Sequence, residues 1–210
     1  VDEKSHRHIS QLVGLYPGNL INGTTPAWLD AAAVTLEGRD GFNEPGGWPY
    51  AHKMNLYARV KDGDNAYLEY RKMMKNALAP NLWTLYRLIY QAEANSGATS
   101  GVAEMLLQSH EGYIEPLAAL PSAWAKGCYS GLVAEGNFEV ACEWENSTAK
   151  TIGITANVGG IVKVKYPSIA NAKVVDSKGN EVEYEVVGSD IISFETKKGE
   201  TYTINGLVKV

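Results

Sequence analysis

Apolar residues recur with two different periods, at helical spacing in the first half of the chain and at every second position in the second half. The first half predicts four helices, which begin at Pro26 with Thr25 as its cap, at Pro49, at an Asp64 cap and at Thr99 or Ser100. Long segments rich in Gly, Pro and Asn connect them at 13–24, 39–48 and 79–98. Because bundle helices normally have short connections, this half predicts the loop-bearing end of a larger helical assembly.

The second half predicts short antiparallel strands. From Phe138 to Glu145 every second residue is apolar, and most residues between them are glutamates. Similar alternation recurs at 152–156, 162–166, 182–186 and 192–194, with turns at 135–137, 178–180 and 198–199. This spacing is typical of an antiparallel β-sandwich. The predicted fold class is therefore α+β and multidomain, with an all-α segment over 1–115 and a β-sandwich domain over 116–210.

Composition and charge narrow the function classes. Of the 210 residues, 45% are hydrophobic, which excludes a disordered chain, and the net charge of −5 argues against nucleic-acid binding. No apolar run reaches the roughly 18 residues of a membrane span. Cys128 and Cys142 could pair, although two small buried thiols are the simpler interpretation. Phosphate-binding loops, dinucleotide fingerprints and nucleophile elbows are missing from the sequence, so no cofactor is predicted.

Two segments in the first quarter of the chain carry candidate ligand-binding residues. His6-Arg7-His8 could line a polar binding wall, lie on the surface without a role, or hold a metal ion, but no companion Cys, His or Asp pattern supports a metal. Trp48 follows a Gly-rich loop, Glu44-Pro45-Gly46-Gly47. Its indole ring could stack on a sugar, and a place in the core is an equal alternative.

The segment 90–99 carries the candidate catalytic residue. Small residues dominate it, Glu93 is its only charged residue, and Asn95 follows two positions later. A lone carboxylate in such a segment is suited to proton transfer, while a solvated loop glutamate is the alternative. Glu104, inside the fourth predicted helix, is interpreted as structural.

An ordered series of motifs over about residues 5–145 resembles glycoside hydrolase family 95, the α-L-fucosidase and α-L-galactosidase family. The motifs are His6-Arg7-His8-Ile9-Ser10, Gly14-Leu15-Tyr16-Pro17-Gly18, Asn55-Leu56-Tyr57-Ala58-Arg59, the run 101–110, Leu120-Pro121-Ser122-Ala123-Trp124 and the run 131–136. The resemblance implies the last third or so of an (α/α)6 barrel followed by a β-sandwich. It also implies an inverting exo-glycosidase, in which an acid protonates the leaving oxygen and a base activates water.

The same resemblance implies roles for individual residues. The stretch from Tyr90 to Gly97 matches Phe-Gln-Ile-Asp-Gly-Asn-Phe-Gly of the family, which puts Glu93 at the position of the base and Asn95 at that of the family's Asn. His8 becomes a candidate sugar contact, and the general acid is expected upstream of this chain. Departures from the family pattern are Glu93 for Asp, residues 86–89 for His-Pro-Pro, His52-Lys53 for Trp-Arg, Gln11 for His and Pro49 for Ser. They indicate a divergent branch with a changed substrate or a rebuilt base.

The predicted function is therefore that of a C-terminal fragment of an inverting exo-glycosidase acting on oligo- or polysaccharide side chains. The fragment is expected to be inactive alone, since it lacks the acid, and its abrupt start at Val1 agrees with a longer enzyme. Its expected partners are a carbohydrate and either the missing N-terminal part or a second copy covering an open helical flank. Periplasmic or secreted location is expected. The alternatives are a non-catalytic carbohydrate-binding or structural module and an unrelated helical-plus-β interaction protein.

Overall fold

The computed structural model describes residues 6–39 and 46–208. These form two compact units: the described residues of Val1–Met105 together with Ala119–Pro121, and Leu106–Ala118 together with the described residues of Ser122–Val210. The α-helices are α1 (Pro26–Glu37), α2 (Gly47–Arg59), α3 (Gly63–Asn76) and α4 (Ala92–Leu106). Four helices among the described residues agree with the number predicted, and the structure is α+β as expected.

The helices α1 and α3 begin close to the predicted capping residues, with two corrections, and the first is that the Thr25 side chain makes no capping hydrogen bond to α1. Pro26 occupies the first turn of α1, where its missing N–H costs nothing. Asp62, rather than the predicted Asp64, caps α3, because its carboxylate accepts a hydrogen bond from the Asn65 backbone N–H at 3.0 Å. The prediction for Asp64 is wrong by half a turn, and Asp64 lies in the first turn of the helix instead.

Helix α4 differs most from the prediction, since it begins at Ala92 rather than at Thr99 and ends at Leu106 rather than near His110. Its buried stripe consists of Ala94, Gly97, Gly101 and Met105. A Cβ atom on Gly101 would lie 2.8 Å from the Met54 Sδ atom of α2. Small residues therefore let α4 approach α2 closely, and this packing outweighs their poor helix propensity. Every residue of α2 except Trp48 is buried.

A short hairpin precedes α4, within the segment 79–98 that was predicted as a loop. Its strands are β1 (Leu85–Tyr86) and β2 (Ile89–Tyr90), which pair antiparallel. Arg87 in the turn has a φ of 56°, the left-handed conformation that such a tight turn needs. The hairpin occupies the positions at which the family resemblance expects His-Pro-Pro.

The second unit contains antiparallel sheets. Its strands are β3 (Leu107–Gln108), β4 (Glu115–Pro116), β5 (Lys126–Ala134), β6 (Phe138–Glu145), β7 (Thr148–Ala156), β8 (Gly160–Lys165), β9 (Lys173–Val175), β10 (Glu185–Gly188), β11 (Ile191–Thr196) and β12 (Glu200–Asn205). Five of them form a sheet in the order β5-β6-β7-β12-β9, and three form a sheet in the order β10-β11-β8. The alternation predicted over 138–145 is confirmed, because its apolar residues are buried.

The sequence interpretation missed four strands of the second unit and misjudged the burial of one cysteine. Strands β3, β4, β9 and β12 were not predicted, although β12 lies inside the larger sheet between β7 and β9. Neither cysteine forms a disulfide; Cys142 is buried, whereas Cys128 is exposed, so the prediction of two buried thiols holds only for Cys142. Burial raises the pKa of the Cys142 thiol to about 12, and this thiol is therefore unreactive at neutral pH.

Candidate functional site

The polar segments singled out from the sequence lie together in the first unit. The Arg7 guanidinium lies 5.4 Å from the centre of the Tyr86 ring in the hairpin. Gly46 forms an antiparallel bridge with Tyr86, and a Cβ atom on Gly46 would lie 2.8 Å from that ring. The Trp48 backbone N–H donates to the Gln91 Oε1 atom at 3.2 Å. Ser5, Glu44 and Pro45, which belong to the predicted segments, lie outside the described residues.

Glu93 lies in the first turn of α4, not in a loop, and its side chain is exposed. The Gln91 Nε2 atom donates a hydrogen bond to the Glu93 Oε1 atom at 3.2 Å. Since the other end of the same amide accepts from Trp48, Gln91 connects the start of α2 to the Glu93 carboxylate. The positive end of the α4 dipole favours a carboxylate at this position. The arrangement can hold a carboxylate in one orientation while leaving it open to water.

Trp48 and two histidines form the neighbouring part of the site. The rings of Trp48 and His52 are stacked, with their centres 5.2 Å apart and their planes 14° from parallel. Burial lowers the pKa of His52, a hydrogen bond to the Tyr16 backbone opposes this, and the charge of His8 lowers it further. The pKa of His8 is also lowered, chiefly by partial burial and then by Arg7 and His6. Both imidazoles are thus neutral at neutral pH and offer one donor and one acceptor each.

The structure gives Asn95 a structural task. Its Oδ1 atom accepts from the Thr84 backbone N–H at 2.9 Å and from the Thr84 hydroxyl at 2.8 Å. Its Nδ2 atom donates to the Leu82 carbonyl at 2.9 Å. The side chain therefore anchors the segment that leads into the hairpin, and a sugar contact for Asn95 stays a prediction. Trp48 is half-buried against Gly97 of α4, so its ring belongs partly to the core.

The sequence interpretation missed a buried ion pair between α2 and α4. Arg59 of α2 donates from Nε and Nη2 to the two carboxylate oxygens of Glu104 in α4, at 2.6 and 2.9 Å. Its Nη1 atom also faces the Leu15 and Gly18 carbonyls at 3.4 and 3.3 Å, and its guanidinium lies 5.4 Å from the Tyr16 ring centre. The structural interpretation of Glu104 is consistent with this geometry. A signal existed in the sequence, since both residues belong to motifs of the series.

Polar side chains extend the same network toward α4. The hydroxyls of Tyr16 and Ser100 are 2.7 Å apart, and the Ser100 hydroxyl donates to the Asn55 Oδ1 atom at 3.1 Å. The Asn55 Nδ2 atom donates to the Gly97 carbonyl at 2.8 Å. These bonds fix the turn that carries Tyr16, whose backbone contacts His52. The network therefore holds in place the Tyr16 backbone that forms a hydrogen bond with His52.

The described part of the chain offers neither a metal centre nor a membrane helix. Over 6–39 and 46–208, no three or more His, Cys, Asp or Glu side chains are grouped so that they could hold a metal ion. The metal alternative for His6 and His8 therefore lacks support in these ranges. None of the described helices has the length and apolarity needed to cross a membrane.

Comparison with known proteins defines the class of protein first. Residues 1–106 match the profile described as "Glycosyl hydrolase family 95 catalytic domain". Residues 108–204 match the profile "Glycoside hydrolase family 95, C-terminal domain". The chain thus joins part of a glycosidase catalytic domain to the domain that follows it. It belongs to glycoside hydrolase family 95, and the resemblance inferred from its motifs is confirmed.

Three proteins similar in sequence to this chain are named as fucosidases. The chain is 30% identical to "Alpha-L-fucosidase 2" of Arabidopsis thaliana over 183 residues, which are 81% of this chain and 21% of that protein. It is 26% identical to "Probable alpha-fucosidase A" of Aspergillus niger over 197 residues, covering 84% of this chain and 25% of the relative. The protein of the same name from Aspergillus oryzae is 27% identical over 179 residues, covering 73% and 25%. The chain therefore spans about a quarter or less of the length of these relatives.

Proposed function

We propose that this chain supplies the last part of an (α/α)6 catalytic barrel and a following β-sandwich to an inverting exo-glycosidase. The substrate class is an α-linked L-fucose or a related sugar on oligo- or polysaccharide side chains. Family membership and the names of the relatives support this proposal. The division at 115/116 between barrel and sandwich belongs to the proposal as well.

The observation that carries the proposal is the orientation of Glu93 by Gln91 beside Trp48. Glu93 acts as the general base: its carboxylate removes a proton from water as the water oxygen attacks the anomeric carbon. His8 and Trp48 hold the sugar by a hydrogen bond and by ring stacking. The acid that protonates the leaving oxygen is a carboxyl group outside this chain, so we expect the chain alone to be inactive.

The test of this assignment is Glu93→Gln in the full-length protein that carries this chain. The amide keeps the shape of the carboxylate but cannot accept the proton, so we expect kcat to fall by a factor of about 10² to 10⁴. Glu37→Gln, which changes an exposed glutamate at the end of α1, is the matched control and should leave kcat unchanged. Proton NMR of the first product formed from an α-fucoside should show the β-anomer. Near-normal turnover by Glu93→Gln would refute the base assignment, and an α-anomer would refute inversion.

A non-catalytic carbohydrate-binding or structural module is the second candidate. One observation favours it: the amide of Asn95, which the family resemblance places in the site, is engaged by Thr84 and Leu82. A binding module should respond to sugar without any upstream residues. Calorimetric titration of the 210-residue chain with L-fucose and L-galactose tests this, and heat of binding combined with full activity of Glu93→Gln would favour the module.

A further inference from the structure

Two aromatic rings next to the proposed base have no role in the function described so far. Trp83 is 52% exposed and Tyr90 is 45% exposed. Their ring centres are 4.7 Å apart, with the planes tilted by 31°. Exposed aromatic pairs are costly to maintain on a surface, because both rings would gain free energy by burial. The pair therefore offers an apolar surface that a ligand ring can cover.

The backbone on both sides of the pair is fixed. Asn95 binds the backbone of Leu82 and of Thr84, the two neighbours of Trp83. Tyr90 ends β2, opposite Leu85, and the next N–H, that of Gln91, donates to the Thr84 carbonyl at 2.9 Å. The Thr84 hydroxyl lies within hydrogen-bond distance of both the Gln91 carbonyl and the Asn95 Oδ1 atom, and its one proton can serve either of them. Trp83 directly precedes Thr84, and Tyr90 directly precedes Gln91, so each ring is attached next to a residue whose backbone is hydrogen-bonded. The backbone that carries the two rings is therefore fixed before any ligand binds.

The chemistry of this surface suits a sugar ring. One face of a pyranose presents C–H groups, which pack on an aromatic ring, while its rim carries hydroxyls that need donors and acceptors. Gln91 and Glu93 follow Tyr90 in the chain, so an amide and a carboxylate, joined by a hydrogen bond, lie within three residues of one ring.

We propose that Trp83 and Tyr90 form a stacking platform for a second pyranose ring of the substrate, other than the one that is hydrolysed. The inference rests on the proposed function, because it assumes an oligosaccharide substrate. It assigns the hairpin a task in substrate choice: a substrate with a second ring gains contacts here, and one with a small leaving group does not.

Binding is tested first on the 210-residue chain, with lactose and 2′-fucosyllactose as probes and saturation-transfer NMR as readout. We expect Trp83→Ala to weaken binding at least about fivefold, the loss of roughly 1 kcal/mol of stacking. Trp28→Ala is the matched control, since it removes an indole of α1 that is 62% exposed, and it should bind as the parent chain does. Trp83→Phe keeps a ring and should retain most of the affinity. Absence of binding by the parent chain, or equal binding by Trp83→Ala, would overturn the proposal.

Kinetics in the full-length protein separate this proposal from the assignment of Glu93. Trp83→Ala should lower kcat/KM for 2′-fucosyllactose about fivefold or more, through a higher KM. The kcat/KM for α-L-fucosyl fluoride should stay unchanged, because that substrate has no second ring. Equal losses on both substrates would overturn the platform. Full activity of Glu93→Gln would refute the base without touching the binding result.

Discussion

Replacing Arg59 alone breaks the buried Arg59–Glu104 ion pair and should strongly lower the unfolding free energy of the helical unit. The side chains are only 8% and 18% exposed, and the guanidinium and carboxylate share two short hydrogen bonds. Arg59→Met keeps the length of the side chain and removes the charge, which leaves the Glu104 carboxylate without its guanidinium partner. Breaking a buried pair in this way costs about 3–5 kcal/mol of unfolding free energy. The Leu15 and Gly18 carbonyls lose a donor in the same step.

The assay is guanidinium-induced unfolding of the 210-residue chain, followed by helical circular dichroism so that the helical unit is observed. Lys126→Met breaks the exposed Lys126–Glu145 pair of the second unit and should leave the unfolding free energy almost unchanged, because water screens that pair. The double variant Arg59→Met/Glu104→Leu replaces both charges by apolar groups and should recover most of the loss. A cost below about 1 kcal/mol for Arg59→Met, or no recovery in the double variant, would refute this account.

Three further predictions follow from single contacts. Gln91→Ala should lower kcat of the full-length protein about tenfold with a smaller change in KM, because Glu93 loses its orienting amide; steady-state kinetics test this. Gly63→Ala should cost about 1–3 kcal/mol in the same unfolding assay, since its Cβ would meet the Ala119 carbonyl oxygen at 2.3 Å, whereas Gly38→Ala finds space and should not. The lowered pKa values of His8 and His52 mean that the unfolded state binds more protons. Unfolding free energy should therefore fall as pH drops below about 6.5, and His52→Gln should flatten that dependence.

Local sequence patterns predicted part of the fold, but they misplaced the start of α4. Helical spacing, Pro26 and alternating apolar residues located α1, α3 and β6 because these signals lie within a few residues of the element, although the cap of α3 was placed two residues too late. The start of α4 was misplaced because its buried stripe is made of Ala94, Gly97 and Gly101, which carry little hydrophobic signal. Their meaning comes from Met54 and Ala51 on α2, which the chain reaches only after folding.

The sequence indicated which residues are chemically suited to the candidate site, but not which of them contact one another. The sequence selected Glu93, His8 and Trp48 as chemically suited side chains. It could not select Gln91, because the hydrogen bond from Trp48 depends on how α2 meets the start of α4. The Trp48–His52 stack joins residues four positions apart on α2, so that contact was a local signal which the sequence interpretation missed. Nor could it show that the Asn95 amide is engaged by the backbone before the hairpin. Contacts between residues about forty positions apart carry no local signature.

Two departures from the family pattern, the hairpin and Glu93, are connected through Gln91 and Asn95, and this leads to a prediction for Glu93→Asp. The hairpin stands where the resemblance expects His-Pro-Pro, Asn95 anchors it, and Gln91 at its end holds the longer carboxylate of Glu93 at 3.2 Å. Shortening the side chain by one methylene withdraws the carboxylate by over 1 Å, which breaks that hydrogen bond and costs up to about a hundredfold in rate.

Glu93→Asp should therefore lower kcat in the full-length protein, even though aspartate is the residue that the family motif carries. Combining it with Gln91→Ala should add little, because both changes remove the same contact. An increase in kcat for Glu93→Asp would mean that the site still has the family's geometry and that the glutamate impairs it. In that case the hairpin and the base vary independently, and the linkage argued from Gln91 would be wrong.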